Sequence, residues 1–374
     1  MDNHLSRNII QSLSKLESES ETRKITVGFD GYIDHLYKVV KKRQSSGSFT
    51  EFKTIQEFSN NIQRASDKSA DIEIIKLQKK IGGNAPIMAN AISCAGLHVN
   101  CIGMLGYPDI DPVFKELSAT CKLYSFLDPA YTYALEFTDG KLMFADLGNA
   151  NSVKWEVVTE RISKDQIYRL YDESDLVAFV NWSGITGMDN IWHGIKNDIL
   201  PNIKREKKLK VFFDLSDPSR RTSHDLLFIL KLITQYSHHY SVTLGLNENE
   251  ARKVFTVLMD KSDEVGEFKD YPIEYIGRYI YGVTYVDYIV IHLKDKCLCV
   301  TNNDIEEQQS KFIKEPAILT GAGDNFNAGF CIGWLVDLKP VECMILASAL
   351  SYYYVKYGKS PTIKAITDTI NNDF

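Results

Sequence analysis

No apolar run in this chain of 374 residues approaches the roughly 18 needed to span a bilayer, so no transmembrane helix is expected. The Gly-x-x-x-x-Gly-Lys-Ser/Thr phosphate loop is missing, which excludes a P-loop nucleotidase of the usual form. No Ser-centred nucleophile elbow occurs either. The eight histidines include no pair at helical spacing, and the adjacent His238 and His239 would face different ways on a helix, so no metal-binding pair is predicted. Cys-x-x-Cys pairs are lacking among the seven cysteines, and an odd number of unpaired thiols suits a reducing, cytoplasmic compartment. Cys297 and Cys299 would share one face of a strand as packing residues. There is no long basic stripe interleaved with aromatics. A net charge of −6 opposes attraction to a phosphate backbone, and Lys204-Arg205-Glu206-Lys207-Lys208 reads as a solvated loop. Neither nucleic acid nor a membrane is therefore expected as a partner. The N-terminus lacks a hydrophobic signal core; Ile9, Ile10, Leu13 and Leu16 predict a short amphipathic helix packed on the body.

What is present is the composition of a folded globular protein, 44% hydrophobic and 25% charged, long enough to bury a sizeable core. Strand-like runs alternate with helix-length segments, the pattern of an α/β fold with a mainly parallel sheet and helices on both faces. Strand 25–29 opens it, followed by helix 85–96 and strand 97–103. Strand 176–181, helix 188–200, strand 209–215, helix 224–237, strand 241–245 and helix 248–260 come next. Helix 272–282, strands 286–293 and 297–301, and helices after Gly321 and after Pro340 complete the expected core units. Two segments break the alternation. Ala70 to Lys80 carries Ile72, Ile74 and Leu77 in a half-buried strand pattern, and Tyr131 to Leu147 reads as a hairpin about Asp139-Gly140. If they meet, they form a lid over the carboxyl ends of the parallel strands, where α/β proteins bind ligands; the alternative is two unrelated surface excursions. Segment 41–70 is polar, with Gln44-Ser45-Ser46-Gly47-Ser48 read as a mobile loop and 52–65 as a helix.

The richest stretch is Leu319-Thr320-Gly321-Ala322-Gly323-Asp324-Asn325-Phe326-Asn327-Ala328-Gly329. Gly321 and Gly323 let successive N–H groups converge on one concavity, and the helix that follows adds its positive dipole end, so a phosphate fits there. Asp324 sets a carboxylate beside that site, placed to accept a proton from a hydroxyl attacking phosphorus. Read structurally, the same residues are a Gly-rich loop with Asp324 as an N-cap.

Other polar clusters stand at expected strand ends. Gly28-Phe29-Asp30-Gly31-Tyr32-Ile33-Asp34 supplies two carboxylates that could accept hydrogen bonds from a polyol, or merely satisfy turn N–H groups. Ile81-Gly82-Gly83-Asn84-Ala85-Pro86 allows close backbone approach to a ligand, and Asn84 can donate or accept; a capped structural turn uses the same residues. In Leu246-Asn247-Glu248-Asn249-Glu250-Ala251, Asn247 and Glu250 form a capping-box pattern, while Glu250 could also hold the water shell of a magnesium ion. Asp214-Leu215-Ser216-Asp217-Pro218-Ser219-Arg220-Arg221 adds polar groups and two guanidinium groups for phosphate contact or an exposed helix start.

In this order the motifs resemble the ribokinase-like, or PfkB, family of carbohydrate kinases, over roughly 24–362 of the chain. The resemblance implies a three-layer α/β/α sandwich with a mainly parallel sheet and a small β-sheet lid. One kinase domain would span 1–374, with lid segments at about 35–80 and 128–150. It implies Asp324 as catalytic base, with the backbone of Gly321, Ala322 and Gly323 stabilising the transferred γ-phosphoryl group of ATP. Asp34, with Asp30, Gly82, Gly83 and Asn84, would bind sugar hydroxyls. Asn247 and Glu250 would organise Mg²⁺ and phosphate, Glu250 through water, and Ala349, Tyr353 and Gly358 would border the adenine. The lid would exclude water that competes as acceptor.

The departures from the family pattern are specific. The usual Thr-x-Gly turn after the strand at Tyr288 to Ile291 is replaced by His292-Leu293-Lys294-Asp295-Lys296, so Lys294 or Lys296 would supply donor-site charge. The Asp-Thr pair before the Gly-Ala-Gly-Asp turn is Ile318-Leu319, which removes a carboxylate associated with monovalent-cation activation, so K⁺ dependence is not carried over. The asparagine four residues after the glycine pair is Ile87, with Asn84 as its substitute. The expected function is a Mg²⁺-dependent sugar kinase. One rival is a nucleoside kinase of the same fold, favoured by Tyr131, Tyr133 and Phe144 in the lid. The other is a sugar-binding protein with impaired catalysis, favoured by the altered donor turn. An exposed lid edge predicts a homodimer.

Overall fold

The computed structural model describes residues 3–19, 22–117, 119–204, 208–259 and 271–374. In chain order the first elements are helix α1 (Asn3–Glu19), strands β1 (Lys24–Gly28), β2 (Tyr32–Ser45) and β3 (Ser48–Glu51), helix α2 (Ile55–Gln63), strand β4 (Ile74–Gly82) and helix α3 (Asn84–Cys94). Strands β5 (His98–Gly103), β6 (Cys121–Ser125), β7 (Ala130–Phe137) and β8 (Gly140–Asp146) lead to helices α4 (Trp155–Arg161) and α5 (Lys164–Glu173). Alternation resumes with β9 (Leu176–Phe179), α6 (Met188–Gly194), β10 (Lys210–Asp214), α7 (Ser223–Ser237), β11 (Ser241–Asn247) and α8 (Glu248–Leu258). Then come α9 (Ile273–Thr284), β12 (Tyr288–His292), β13 (Lys296–Val300), β14 (Ile305–Gln309), α10 (Ala322–Leu335), α11 (Pro340–Tyr357) and α12 (Ile363–Asp373). Arg205 to Lys207 of the basic run and Asp260 of the predicted 248–260 helix lie outside the described residues.

The main sheet has nine strands in the order β14-β13-β12-β11-β10-β9-β1-β5-β6; all neighbours are parallel except β12-β13 and β13-β14. Its inner strands are apolar on both faces because helices cover both. Alternation sorts the side chains. Val177, Phe179, Val211, Phe213, Ile289 and Ile291 pack with α4 to α9, whereas Leu176, Ala178, Phe212 and Val290 pack with α1, α3 and α10 to α12. The predicted amphipathic N-terminal helix joins the second group through Ile9, Leu13 and Leu16. On the first face Phe213 stacks on Phe179 at 5.2 Å, packs at a tilt against Trp192 at 5.2 Å and meets Tyr236 edge-on at 5.1 Å. Phe213→Ala should therefore lower unfolding free energy by about 3–5 kcal/mol, read from denaturant titration; a loss below about 1 kcal/mol would contradict this account of the core.

The two segments that broke the alternation do meet. Strand β2 pairs with β4 (antiparallel), β7 (parallel) and β3, and β8 extends β7, giving a smaller five-stranded sheet. The Asp139-Gly140 hairpin is present as read, Phe137 pairing with Gly140. The segment read as a mobile loop is instead the end of β2, turning through Ser46-Gly47 into β3. The helix predicted at 188–200 is α6 followed by a π turn at Ile195–Ile199 and a 3₁₀ turn at Leu200–Asn202, where Pro201 ends it. No helix among the described residues is long and apolar enough to cross a membrane.

Candidate active site

Two cavities share the first turn of α10. One, of about 350 Å³, is walled by Tyr32, Asp34, Thr132, Met143 and Ala145 of the smaller sheet, by Gly83, Asn84 and Ile87, by Asn181, Ser183, Ser216, Asp217 and Arg220, and by Thr320 and Asp324. The other, of about 290 Å³, is bounded by His292, Leu293 and Lys294, by 310–313 with Pro316 and Leu319, by Ala322, Gly323 and Phe326, and by Ser348, Ser351, Tyr352 and Val355. Thr320 and Asp324 thus face the first cavity, while Leu319, Ala322 and Gly323 face the second.

That turn can be made only by a glycine. Gly321 caps α10 at φ +94°, and a Cβ there would lie 2.7 Å from Tyr354 Oη, which donates to the Thr320 carbonyl at 3.0 Å. Asn325 holds the turn from within, its N–H and Nδ2 both donating to the Gly321 carbonyl at 3.1 and 2.9 Å. Of the three N–H groups expected to meet phosphate, that of Ala322 donates to the Leu319 carbonyl at 3.1 Å. Asp324 is 9% exposed and its carboxyl is held well above the usual carboxylate range, first by burial and then by the charges of Asp214 and Asp30, against a stabilising hydrogen bond from Asn84.

Asp34 sits in the first cavity wall. Burial raises its pKa, opposed by Lys80, a hydrogen bond with Thr132 and the charge of Lys141. Gly82 lies behind it rather than in the wall: a Cβ at Gly82 would fall 2.4 Å from Asp34 Oδ1, so the glycine leaves room for the carboxylate. Gly83, at φ +90°, and Asn84 do line the cavity.

Asp30 does not. It is fully buried and accepts from Asn84 N–H at 2.8 Å, Ala85 N–H at 2.7 Å and Asn181 Nδ2 at 2.6 Å. Both oxygens are committed to the start of α3 and the loop after β9, so this carboxylate positions Asn84 instead of meeting a ligand.

Asn247 and Glu250 enter neither cavity wall. They make the capping box of α8: Glu250 N–H donates to Asn247 Oδ1 at 2.9 Å, while Asn247 N–H and Nδ2 donate to the Glu250 carboxylate at 2.8 and 2.6 Å. Glu250 is nonetheless pushed up to about 8, by burial and then by the charge of Asp214. Asp214, itself raised to about 6 by burial, accepts from Ser216 N–H at 2.7 Å and Asn327 Nδ2 at 2.5 Å. Neither carboxylate makes an ion pair among the described residues. No three His, Cys, Asp or Glu side chains among the described residues converge closely enough to cage a metal. Both oxygens of Asp214 and of Glu250 are engaged within the protein, so either residue would meet a divalent cation only through its water shell.

In the second cavity the altered donor turn resolves into separate roles. Lys294 lines the wall, but Lys296 is tied to Glu274 at 2.5 Å and Glu307 at 3.1 Å. His292, not singled out from sequence, lies under the cavity beside Gly323, its ring 5.1 Å from Phe326; burial lowers its pKa to about 4, so the imidazole is neutral. Helix α11 borders this cavity through a face other than that of the residues named from sequence. Ser348, Ser351, Tyr352 and Val355 line it, whereas Ala349 is core, Tyr353 packs at a tilt against Tyr357 at 4.5 Å, and Gly358 at φ +70° is the helix cap. On the other side, Arg220 reaches the first cavity, while Arg221 is buried in ion pairs with Asp189 and Asp225 and stacks on Trp182.

The profile of the prokaryotic ketohexokinase family matches residues 1–373. A ketohexokinase from Haloferax volcanii is 24% identical over 341 residues, covering 91% of this chain and 88% of the relative. Ribokinase from Thermotoga maritima superposes with a TM-score of 0.61 at 17% identity, covering 94% of this chain and 100% of its own. An Arabidopsis thaliana ribokinase complexed with ribose and ATP gives 0.61 at 13% identity, covering 94% and 99%. Together with the Gly-Ala-Gly-Asp turn at the junction of two cavities, these likenesses show that the chain belongs to the prokaryotic ketohexokinase family and is a carbohydrate kinase of ribokinase-like fold.

Proposed function

We propose that the protein transfers the γ-phosphoryl group of ATP to a hydroxyl of a ketohexose or closely similar sugar. The observation that carries this reading is the division of one helical turn between two cavities, Asp324 facing one and Gly323 the other. In the reaction the sugar oxygen bonds to the γ-phosphorus, its proton passes to the Asp324 carboxylate, and the bond from phosphorus to the bridging oxygen breaks to leave ADP. Mg²⁺ would neutralise charge on the phosphates, its water shell facing Asp214 and Glu250. Gly323 and the positive end of α10 meet the phosphoryl group, and Lys294 adds charge where the family's usual turn is absent. Asp34, Asn84 and Thr132 hold sugar hydroxyls, and the smaller sheet acts as the lid that keeps water away.

The direct test is ATP consumption with Mg²⁺ across ketohexoses, aldoses, alditols and nucleosides. Turnover specific to a ketohexose supports the proposal; preference for a nucleoside would replace the acceptor, and sugar binding without turnover would make this a binding protein. Gly82→Ala would push the Asp34 carboxylate aside and should raise the sugar KM by about tenfold or more, since small displacements at a reacting centre cost that much. An unchanged KM would remove Asp34 from the sugar site. On the lid's outer face His35 lies 5.6 Å from the ring of Tyr133, with Phe144 paired opposite and 54% exposed. This apolar face fits a second copy of the chain, which sedimentation would report as a dimer.

A further inference from the structure

The wall of the acceptor cavity holds a buried hydroxyl that has no partner among the described residues. Ser183 is 5% exposed, and its Oγ has no hydrogen-bond partner among the described residues. Its neighbours are all engaged. Asn181 Nδ2 donates to Asp30 at 2.6 Å, its Oδ1 accepts from Gly184 N–H at 3.2 Å, and Tyr32 Oη donates to the Gly184 carbonyl at 3.2 Å. The Ser183 N–H donates to the Leu215 carbonyl at 2.9 Å, which fixes the loop after β9 to the loop after β10 and holds the hydroxyl in place. A buried hydroxyl without a partner is costly, and native structures rarely retain one.

The surrounding chemistry says what it would take. Asp34 and Asp324 accept hydrogen bonds when ionised, and Arg220, in the same wall region, only donates. Ser183 can do either. Resting on the sugar-kinase reading, we propose that Ser183 Oγ hydrogen-bonds one particular oxygen of the acceptor sugar and is a specificity-determining residue of this cavity. Arg220 adds a second donor to the same wall, so the loops after β9 and β10 read a sugar oxygen other than those held by Asp34 and Asp324.

The test compares wild type with Ser183→Ala, using ketohexoses and their mono-deoxy analogues, with sugar Kd from calorimetry and KM and kcat from ATP consumption. Loss of one buried hydrogen bond should raise Kd and KM about tenfold. The kcat should change less, and Tm should not fall, because the variant removes an unpartnered group. The sharpest readout is a single deoxy position whose penalty in wild type disappears in Ser183→Ala. Unchanged Kd and KM, with every deoxy penalty retained, would overturn the proposal, as would a lower Tm with sugar affinity intact. Should alanine unfold the chain, Ser183→Cys keeps the volume while weakening the hydrogen bond. Wild type that binds sugar without consuming ATP would refute the kinase reading, and the Kd comparison would still decide the role of Ser183. Wild type that binds no sugar would overturn both.

Discussion

Asp324→Asn should lose turnover by about 100-fold or more, the usual contribution of a positioned general base, while the protein becomes no less stable. The change is nearly isosteric, so sugar and nucleotide binding should persist. The stability half of the expectation comes from the charge environment. Burial and the charges of Asp214, Asp30 and Glu250 hold the Asp324 proton well above the ordinary carboxylate range, and only the Asn84 hydrogen bond opposes them. Replacing the carboxylate with an amide removes that repulsion and should leave Tm equal or higher at neutral pH, a separation of stability from activity common at catalytic sites. The same raised pKa sets the acid limb of kcat/KM above the range of a free aspartate, with activity falling as pH drops through it. A variant retaining wild-type turnover would remove Asp324 from the chemistry; one that is inactive with a lowered Tm would point to a structural role.

The parts of this site legible in sequence are those whose chemistry admits few alternatives. A glycine at positive φ followed by a carboxylate at a helix start has a narrow set of uses, so Gly321 and Asp324 were readable. Asp139-Gly140 announced its hairpin for the same reason. What escaped reading had two consistent local solutions. Asn247 and Glu250 suit a capping box and a metal's water shell at once, and the cap is formed. Asp30 looked like a sugar ligand, but the N–H groups opening α3 needed an acceptor. Helix α11 is buried continuously from Glu342 to Leu350, so it lacks the polar stripe that would fix its rotation, and Ser348 and Tyr352 line the second cavity where Ala349 and Tyr353 were named. The end of β2 and strand β14 are polar, because one runs out into solvent and the other lies at the sheet edge, and neither shows the alternation of a half-buried strand.

In the absence of divalent cation, thermal stability should fall as pH rises from about 6.5 to 8, and Mg²⁺ with nucleotide should remove most of that slope. Glu250 titrates near 8 in the folded protein against 4.5 ordinarily, because burial and then the charge of Asp214 disfavour its ionised form. Between those values the folded chain holds a proton that the unfolded chain has released, so stability declines with rising pH through the window and the decline ends near 8. Asp214 and Asp30, each raised to about 6 from 3.8, act in the same direction at lower pH. There they are opposed by His292, lowered from 6.5 to about 4, which favours folding as pH rises towards 6.5. Above 6.5 the slope comes from Glu250 together with Asp324, whose carboxyl burial also holds well above the usual range. A cation whose water shell faces Glu250 and Asp214 stabilises their ionised forms and so lowers both pKa values. Thermal unfolding in EDTA, in Mg²⁺, and in Mg²⁺ with ATP, repeated for Glu250→Gln, measures each contribution. The variant should show a shallower profile in EDTA, the remainder belonging to Asp324, and a smaller response to Mg²⁺. A flat or rising wild-type profile would mean that this carboxylate is already compensated by the protein, and the cation site would then have to be sought elsewhere around the phosphates.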